Sequence, residues 1–396
     1  MRTGTANTYD KGLDQLLQRQ SELASQQEQL SSGKRVNRAS DDPVSAAQAE
    51  RATVRIRRVE TDQRALEMQR NAITAAESTL GQANALMQTA RDLVISSGNL
   101  ANTPQQRGII AGQLIGLRDQ ALALANRTDS NGVPLFGSLG SVGTPFVDAS
   151  GGVIFQAVAG QRASTATALP PAMDGQAIWM DVLSGNGVFE VSLSAANTGT
   201  VSTGAGSVES PTALSGNNYS VTFTVAAGVT TYAVVNTTTA AVVATGQPYR
   251  EGAPIQFDGM SVVVRGIPAD GDTLGVAPST RISVFDVLDD AIASINNMAA
   301  NNKLSQGIAL ALAQFDTSLD KLQSARSQTG DWLNRADSIT NAQGAQTILL
   351  EGDRSRAQDL DMVKGISDFN QKQTGYQAAL QSYAQIQKLS LFNFIN

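Results

Sequence analysis

The chain has 396 residues, a formal net charge of −6, and neither cysteine nor histidine. Those absences remove disulfides, thiol nucleophiles, His-based triads and Cys- or His-ligated zinc, so an enzyme is the least favoured class and neither a cofactor nor a metal site is expected. The acidic balance argues against a nucleic-acid partner.

The start, Met1 to Asp10, is polar and has no apolar core, so no cleavable signal peptide is expected. No apolar run is long enough to span a membrane. Leu16, Gln20, Leu23, Gln27 and Leu30 then step four-three-four-three, which predicts a first helix with a weak apolar seam. Pro43 follows Asp42 and Pro104 follows Thr103, each pair reading as an N-cap followed by the first helical residue. From Pro43 to about Ser97 a heptad stripe runs through Val59, Leu66, Ile73, Leu80, Met87 and Val94, with Ala76, Ala83 and Ala90 beside it. One helix of roughly 80 Å would carry it. Ile110, Leu114, Leu117, Ala121 and Leu124 predict another helix from about 104 to 128. Arg51, Arg55, Arg57, Arg58, Arg64 and Arg70 interleave with acids, which reads as a salt-bridged helix face or a subunit contact.

Residues 141–280 differ in kind. They hold nine acidic and three basic side chains, no lysine, and 18 of the 35 glycines, whereas the flanks are charge-neutral. Val188–Leu193, Tyr219–Val225 and Met260–Val264 alternate as strands do, with turn residues between them. Asp270-Gly-Asp272 reads as a turn, since it lacks the spaced ligands of a calcium loop. Asp41-Asp42 and Asp289-Asp290 read as helix-start charges. Beyond residue 278 there is no proline, so very long helices are allowed. Leu312, Phe315, Leu319 and Leu322 open one seam that reaches Ala336. Ile366, Phe369, Gln373, Tyr376, Leu380 and Tyr383 make the last.

The expected fold is α+β: a long antiparallel helical coiled-coil rod made by both chain ends, with a mainly-β domain inserted. Its expected divisions are 1–40 with 356–396 as a terminal coiled-coil domain, 41–140 with 281–355 as a helical rod domain, and 141–280 as the β insert. The expected interface residues are Leu16, Leu23 and Leu30 against Tyr376, Leu380, Tyr383, Ile386 and Leu389.

Two segments carry a resemblance. Leu30-Ser-Ser-Gly-Lys-Arg-Val-Asn-Arg-Ala-Ser-Asp-Asp-Pro-Val44 resembles the linker of the bacterial flagellin family, L-S-S-G-x-R-[IV]-N…D-D, at Ser32, Gly33, Arg35, Asn37, Asp41, Asp42 and Pro43. Asn131, Gly132, Leu135 and Phe136 resemble that family's turn after the second rod helix. Asp42-Pro43, Leu135-Phe136-Gly137 and the ending Leu389-Ser-Leu-Phe-Asn-Phe-Ile395 look like the branch found at the hook–filament junction rather than in the filament itself. Met1-Arg-Thr-Gly-Thr and Asp359-Leu-Asp-Met-Val-Lys-Gly365 depart from the family pattern. The resemblance implies a structural subunit of the extracellular flagellum, exported unfolded by the type III apparatus. It implies an export chaperone, self-association in a ring, and a hook-side junction protein, flagellin or the filament cap as partners. A filament subunit is the alternative, and a secreted glycan-binding adhesin a more distant one.

Overall fold

In the computed structural model the chain is described at residues 5–99, 101–140, 143–297 and 302–394, with side chains between 10 and 385 apart from 297 and 302. Three helices open it: α1 (Thr5–Ser32), α2 (Pro43–Ser97) and α3 (Pro104–Ala125). Strands β1 (Phe146–Ala149) and β2 (Gly152–Phe155) form an antiparallel hairpin. A short helix α4 (Gly175–Trp179) precedes β3 (Val182–Leu183) and β4 (Phe189–Leu193). Then come β5 (Ser202–Thr203), β6 (Ser207–Val208), β7 (Tyr219–Ala226), β8 (Val229–Asn236) and β9 (Ala241–Pro248). The remaining strands are β10 (Pro254–Phe257), β11 (Met260–Arg265), β12 (Thr273–Pro278) and β13 (Arg281–Ile282). Helices α5 (Val284–Asn297), α6 (Asn302–Gln358) and α7 (Met362–Phe394) follow. The fold class is therefore α+β, with long helices flanking antiparallel sheets.

These elements form two units, one of Met1–Ala65 with Ile339–Asn396 and one of Leu66–Ser338. In the second unit the α2 heptad stripe does what its spacing predicts. Leu66, Ile73, Leu80, Met87 and Val94 are all buried, and Ala76, Ala83 and Ala90 are covered too. From Ala76 onward the stripe, with Leu80, Met87 and Val94, shares one core with Leu114 and Ala121 of α3, Leu288 and Ile295 of α5, and Leu304, Phe315 and Leu322 of α6. That core also takes in the first part of the middle segment. Phe146, Met173, Ile178, Trp179 and Val182 pack within it, and the Trp179 ring stacks on Phe285 with centroids 5.9 Å apart.

A separate core belongs to the sheets. The order β4-β12-β7-β8-β9 makes five antiparallel strands, and β10-β11-β5 a smaller group to which β6 is joined through β11. On β7 the alternation read from sequence buries Tyr219, Val221 and Phe223, while Ser220 and Thr222 are only partly covered. These pack with Phe189, Val191, Val262, Val264, Leu274 and Val276. Asp270-Gly-Asp272 is a turn. The buried Asp272 carboxylate accepts from the amides of Thr198, Gly199 and Ala269, and Asp270 accepts from Val225 N.

Three expectations change. Helix α3 ends at Ala125, not near 128, because the Asn126 side chain turns out to hold both backbone polar groups of Phe146, at 2.8 and 2.9 Å. Helix α5, with an apolar stripe at Val284, Leu288, Ala291 and Ile295, adds a helix to those expected from the sequence. Asp289 and Asp290 are consequently inside α5, not at a helix start. Asp289 instead accepts from Arg118 Nε at 3.1 Å, and the buried Arg118 also donates to Asp148. One guanidinium thus ties α3, β1 and α5 together. Arg118→Ala leaves both carboxylates without their donor, and a loss of about 2 kcal/mol is expected in denaturant unfolding.

Candidate assembly site

The terminal unit pairs α1 with α7, and the contacts fix the pair as antiparallel. Tyr383 lies 3.5 Å from where a side chain on Gly12 would begin, and Arg19 lies over Gly375. Lys372 Nζ donates to Gln26 Oε1 at 3.1 Å. Leu30 lies against Gly365, where an added methyl group would stand 3.2 Å from its Cδ2 and 2.8 Å from that of Leu360. Positions 12, 16, 23, 26 and 30 of α1 thus line one face. On α7 the covered positions are Gly365, Asp368, Phe369, Lys372, Gly375, Tyr376, Ala379 and Tyr383.

Of the expected interface residues, Leu16 is buried, and Leu23, Leu30, Tyr376 and Tyr383 are half-buried in this stripe. Leu380 is not. It sits one position off the stripe and is 42% exposed, and Ile366 is 51% exposed. The buried amide is Gln26, while Gln20, Gln27 and Gln373 face solvent. Polar residues on both sides of a seam give no contrast with which to place it from sequence. The side chains of Ile386 and Leu389 lie outside the described residues.

The linker motif closes this pair at one end. Gly33 adopts φ +68, a left-handed conformation that glycine takes without cost, and so ends α1. Residues 34–36 then run antiparallel to 358–360. Gly33 O accepts from Leu360 N at 2.9 Å, Gln358 O accepts from Arg35 N at 2.8 Å, and Lys34 pairs with Asp359. Val36 is buried beneath. The Arg35 guanidinium donates to Asp42, to Ser45 Oγ at 3.1 Å and to Ala357 O at 2.9 Å, joining three pieces of backbone with one planar fork. Asp41 accepts from the amides of Asn37 and Arg38, which turns the chain. Asp42 accepts from Ser45 N at 3.1 Å, so this acid does cap the start of α2, ahead of Pro43. On the other strand Asp361 accepts from the amides of Val363 and Lys364 and caps α7. The departure from the family pattern that begins at Asp359 thus has a structural role: 358–360 pair with the linker, and Asp361 caps the helix that follows. The cue was Asp361 standing just ahead of a helix.

The Asp42 carboxyl is pulled down to about 2 by hydrogen bonds from Ser45 and then from Arg35. A carboxyl lowered in the fold stabilises it fully above its unfolded value near 4, and that contribution is lost as pH falls through about 2. Asp42→Asn should therefore melt below the wild type at neutral pH. The gap should close as both are acidified, which thermal melts across the acid range will read.

The turn motif lies in the other unit. Asp129 accepts from the amides of Asn131 and Val133, both at 2.8 Å, and Gly132 (φ +78) completes the turn. Leu135 and Phe136 go straight from it into the helical core, where Phe136 meets the Trp179 ring edge-on at 5.5 Å.

Two family regions match this chain. The bacterial flagellin N-terminal helical region covers residues 5–139, and the bacterial flagellin C-terminal helical region covers residues 312–395. The chain belongs to the bacterial flagellin family. Both ends of the described site therefore fall in its shared helical regions.

Among curated relatives, flagellar hook-associated protein 3 of Salmonella typhimurium is 34% identical over 154 residues, 38% of this chain and 48% of that protein. The match thus spans about half the length of that relative. Among solved structures, flagellar hook associated protein-3 of Legionella pneumophila superposes with a TM-score of 0.73 at 26% identity, covering 78% of this chain and 98% of that one. A flagellar junction protein from the same organism gives 0.68 at 28% identity, covering 74% and 99%. Flagellin-family proteins are structural components of the flagellum. Among the described residues no group of acids is placed to hold a metal ion, and no helix is long and apolar enough to cross a membrane.

Proposed function

We propose that this protein is the structural subunit that joins hook to filament in the bacterial flagellum. The observation that carries the reading is the reach of the structural likeness. Proteins named for the hook-associated and junction roles align over 74–78% of this chain and nearly all of their own length, well beyond the two family regions. On this reading α1 and α7, within 1–40 and 356–396, supply the assembly interface through Leu16, Leu23, Leu30, Tyr376 and Tyr383. The stretches 41–140 and 281–355 form the helical body, and 141–280 the insert. The subunit is exported by the type III apparatus, guided by a chaperone. It closes into a ring between a hook-side junction protein and flagellin or the cap.

The pairing of α1 with α7 suits such a route. It rests on a few leucines and aromatic rings, most of them only half-buried, and an amide–ammonium contact, a thin core that comes apart and reforms readily. A deletion strain tests the reading. Hooks that persist while flagellin is shed into the medium support it. Loss of the filament protein itself from sheared appendages would identify the filament-subunit alternative.

A further inference from the structure

A groove between α2 and α6 stands beside the linker clip. It encloses about 390 Å³ and is lined by Ser45, Gln48, Arg51 and Arg55 of α2 and by Asp353 and Arg356 of α6. Two of the nearby arginines are satisfied, Arg356 by Asp353 and Arg35 by Asp42. Arg51 and Arg55 have no ion pair or hydrogen bond among the described residues. They lie one helical turn apart, a spacing at which like charges repel. The same stripe of α2 carries Val44, which is 67% exposed. Leu349, 69% exposed, shares a stripe of α6 with Asp353 and Arg356. Arginine combined with exposed large apolar side chains is the composition of a protein interface, not of a solvated helix face.

The chain carries the complement of this surface. Asp10, Leu13, Asp14 and Leu17 share the face of α1 that points away from α7. Leu13 and Leu17 are 47% and 55% exposed. Asp10 and Asp14 are exposed and, among the described residues, unpaired. Their carboxylates stand one turn apart, as the two guanidiniums do.

We propose that the Asp10–Leu17 face of α1 in one copy docks on the Arg51–Arg55 groove of a second copy. Two carboxylates meet two guanidiniums, while Leu13 and Leu17 cover Val44 and Leu349. The patches differ, so the contact is head-to-tail and propagates from copy to copy. The inference rests on the assembly reading and names the surfaces that assembly would use.

The test is charge reversal on the full chain. Asp10→Lys with Asp14→Lys makes one variant, and Arg51→Glu with Arg55→Glu the other. In sedimentation each should self-associate on the order of tenfold more weakly than wild type, and an equimolar mixture should recover association. The protein has no native cysteine, so Asp14→Cys on one copy and Arg55→Cys on another, mixed with dissolved oxygen as the two-electron oxidant, should give a single disulfide-linked product. That measurement stands even if a reversed variant folds poorly. A wild-type chain that stays monomeric, a reversed variant that associates normally, or a cysteine pair that fails to link would overturn the contact. Return of filament attachment when the wild-type chain is restored to a deletion strain reports on the junction reading separately.

Discussion

Cells whose only copy carries Leu16→Asp and Leu23→Asp should build hooks and shed flagellin. Leu16 is 9% exposed and Leu23 half-covered, and both face α7. Each substitution forfeits about 1.5–3 kcal/mol of apolar burial and sets a carboxylate into the stripe. The pair has little else to offset this. Other contacts between the two helices include Leu30 on Gly365, Arg19 over Gly375, Gln26 with Lys372, and Tyr383 over Gly12. In the purified monomer the helical signal of α1 and α7, 28 and 33 residues long, should fall, while the main melting transition of 66–338 stays where it was. Leu380→Asp is the informative companion. Its side chain is exposed in the single chain, so the monomer should keep its full helical signal. If Leu380→Asp nonetheless prevents filament attachment, Leu380 meets a neighbouring subunit instead of α1. If Leu16→Asp with Leu23→Asp swims normally, the terminal pair is not the assembly interface.

Periodicity made the helices legible and long-range pairing hid the rest. Val59 to Val94 could be read as one helix because apolar and polar residues contrast at every heptad, and the helix begins and ends where its proline and serine say, at Pro43 and Ser97. The strands at 189–193, 219–226 and 260–265 were legible for the same reason at period two. On α7 the contrast fails: the spacing points to Leu380, whereas in the single chain Ala379 lies in the covered stripe and Leu380 beside it. No local pattern says that residues 34–36 pair with 358–360, more than three hundred positions away, or that Phe146 and Trp179 join the helical core rather than the sheets. The linker motif was recognised as a string. Only the fold shows why it needs Arg35, whose fork reaches Asp42, Ser45 and Ala357 at once.

Gly175→Ala is expected to destabilise the second unit strongly, although it adds only one methyl group. A Cβ at this position would stand 2.2 Å from the backbone oxygen of Phe136, 2.9 Å from the Phe146 ring and 3.0 Å from that of Phe155. A side chain could turn aside, but the carbonyl cannot. Leu135 O, one peptide earlier, is held by Met173 N at 2.8 Å, and Ser138 N, two residues later, donates to Met173 O at 2.9 Å. Gly175 cannot retreat either, because its own amide donates to Ser138 Oγ at 2.9 Å. The turn motif and the start of α4 are therefore clamped at the one point where alanine needs room. Overpacking against fixed backbone costs about 3 kcal/mol, which for a unit of this size lowers the melting temperature by roughly 6–12 °C. Gly204→Ala is the control, since nothing lies within 4 Å of its added methyl, and it should leave the melting temperature unchanged or slightly raised. Calorimetry on the two variants decides the matter. Equal melting temperatures would mean that Phe136 can move away from Gly175, and the Leu135-Phe136 turn would then be a flexible connection rather than the anchor that holds the start of the middle segment in the helical core.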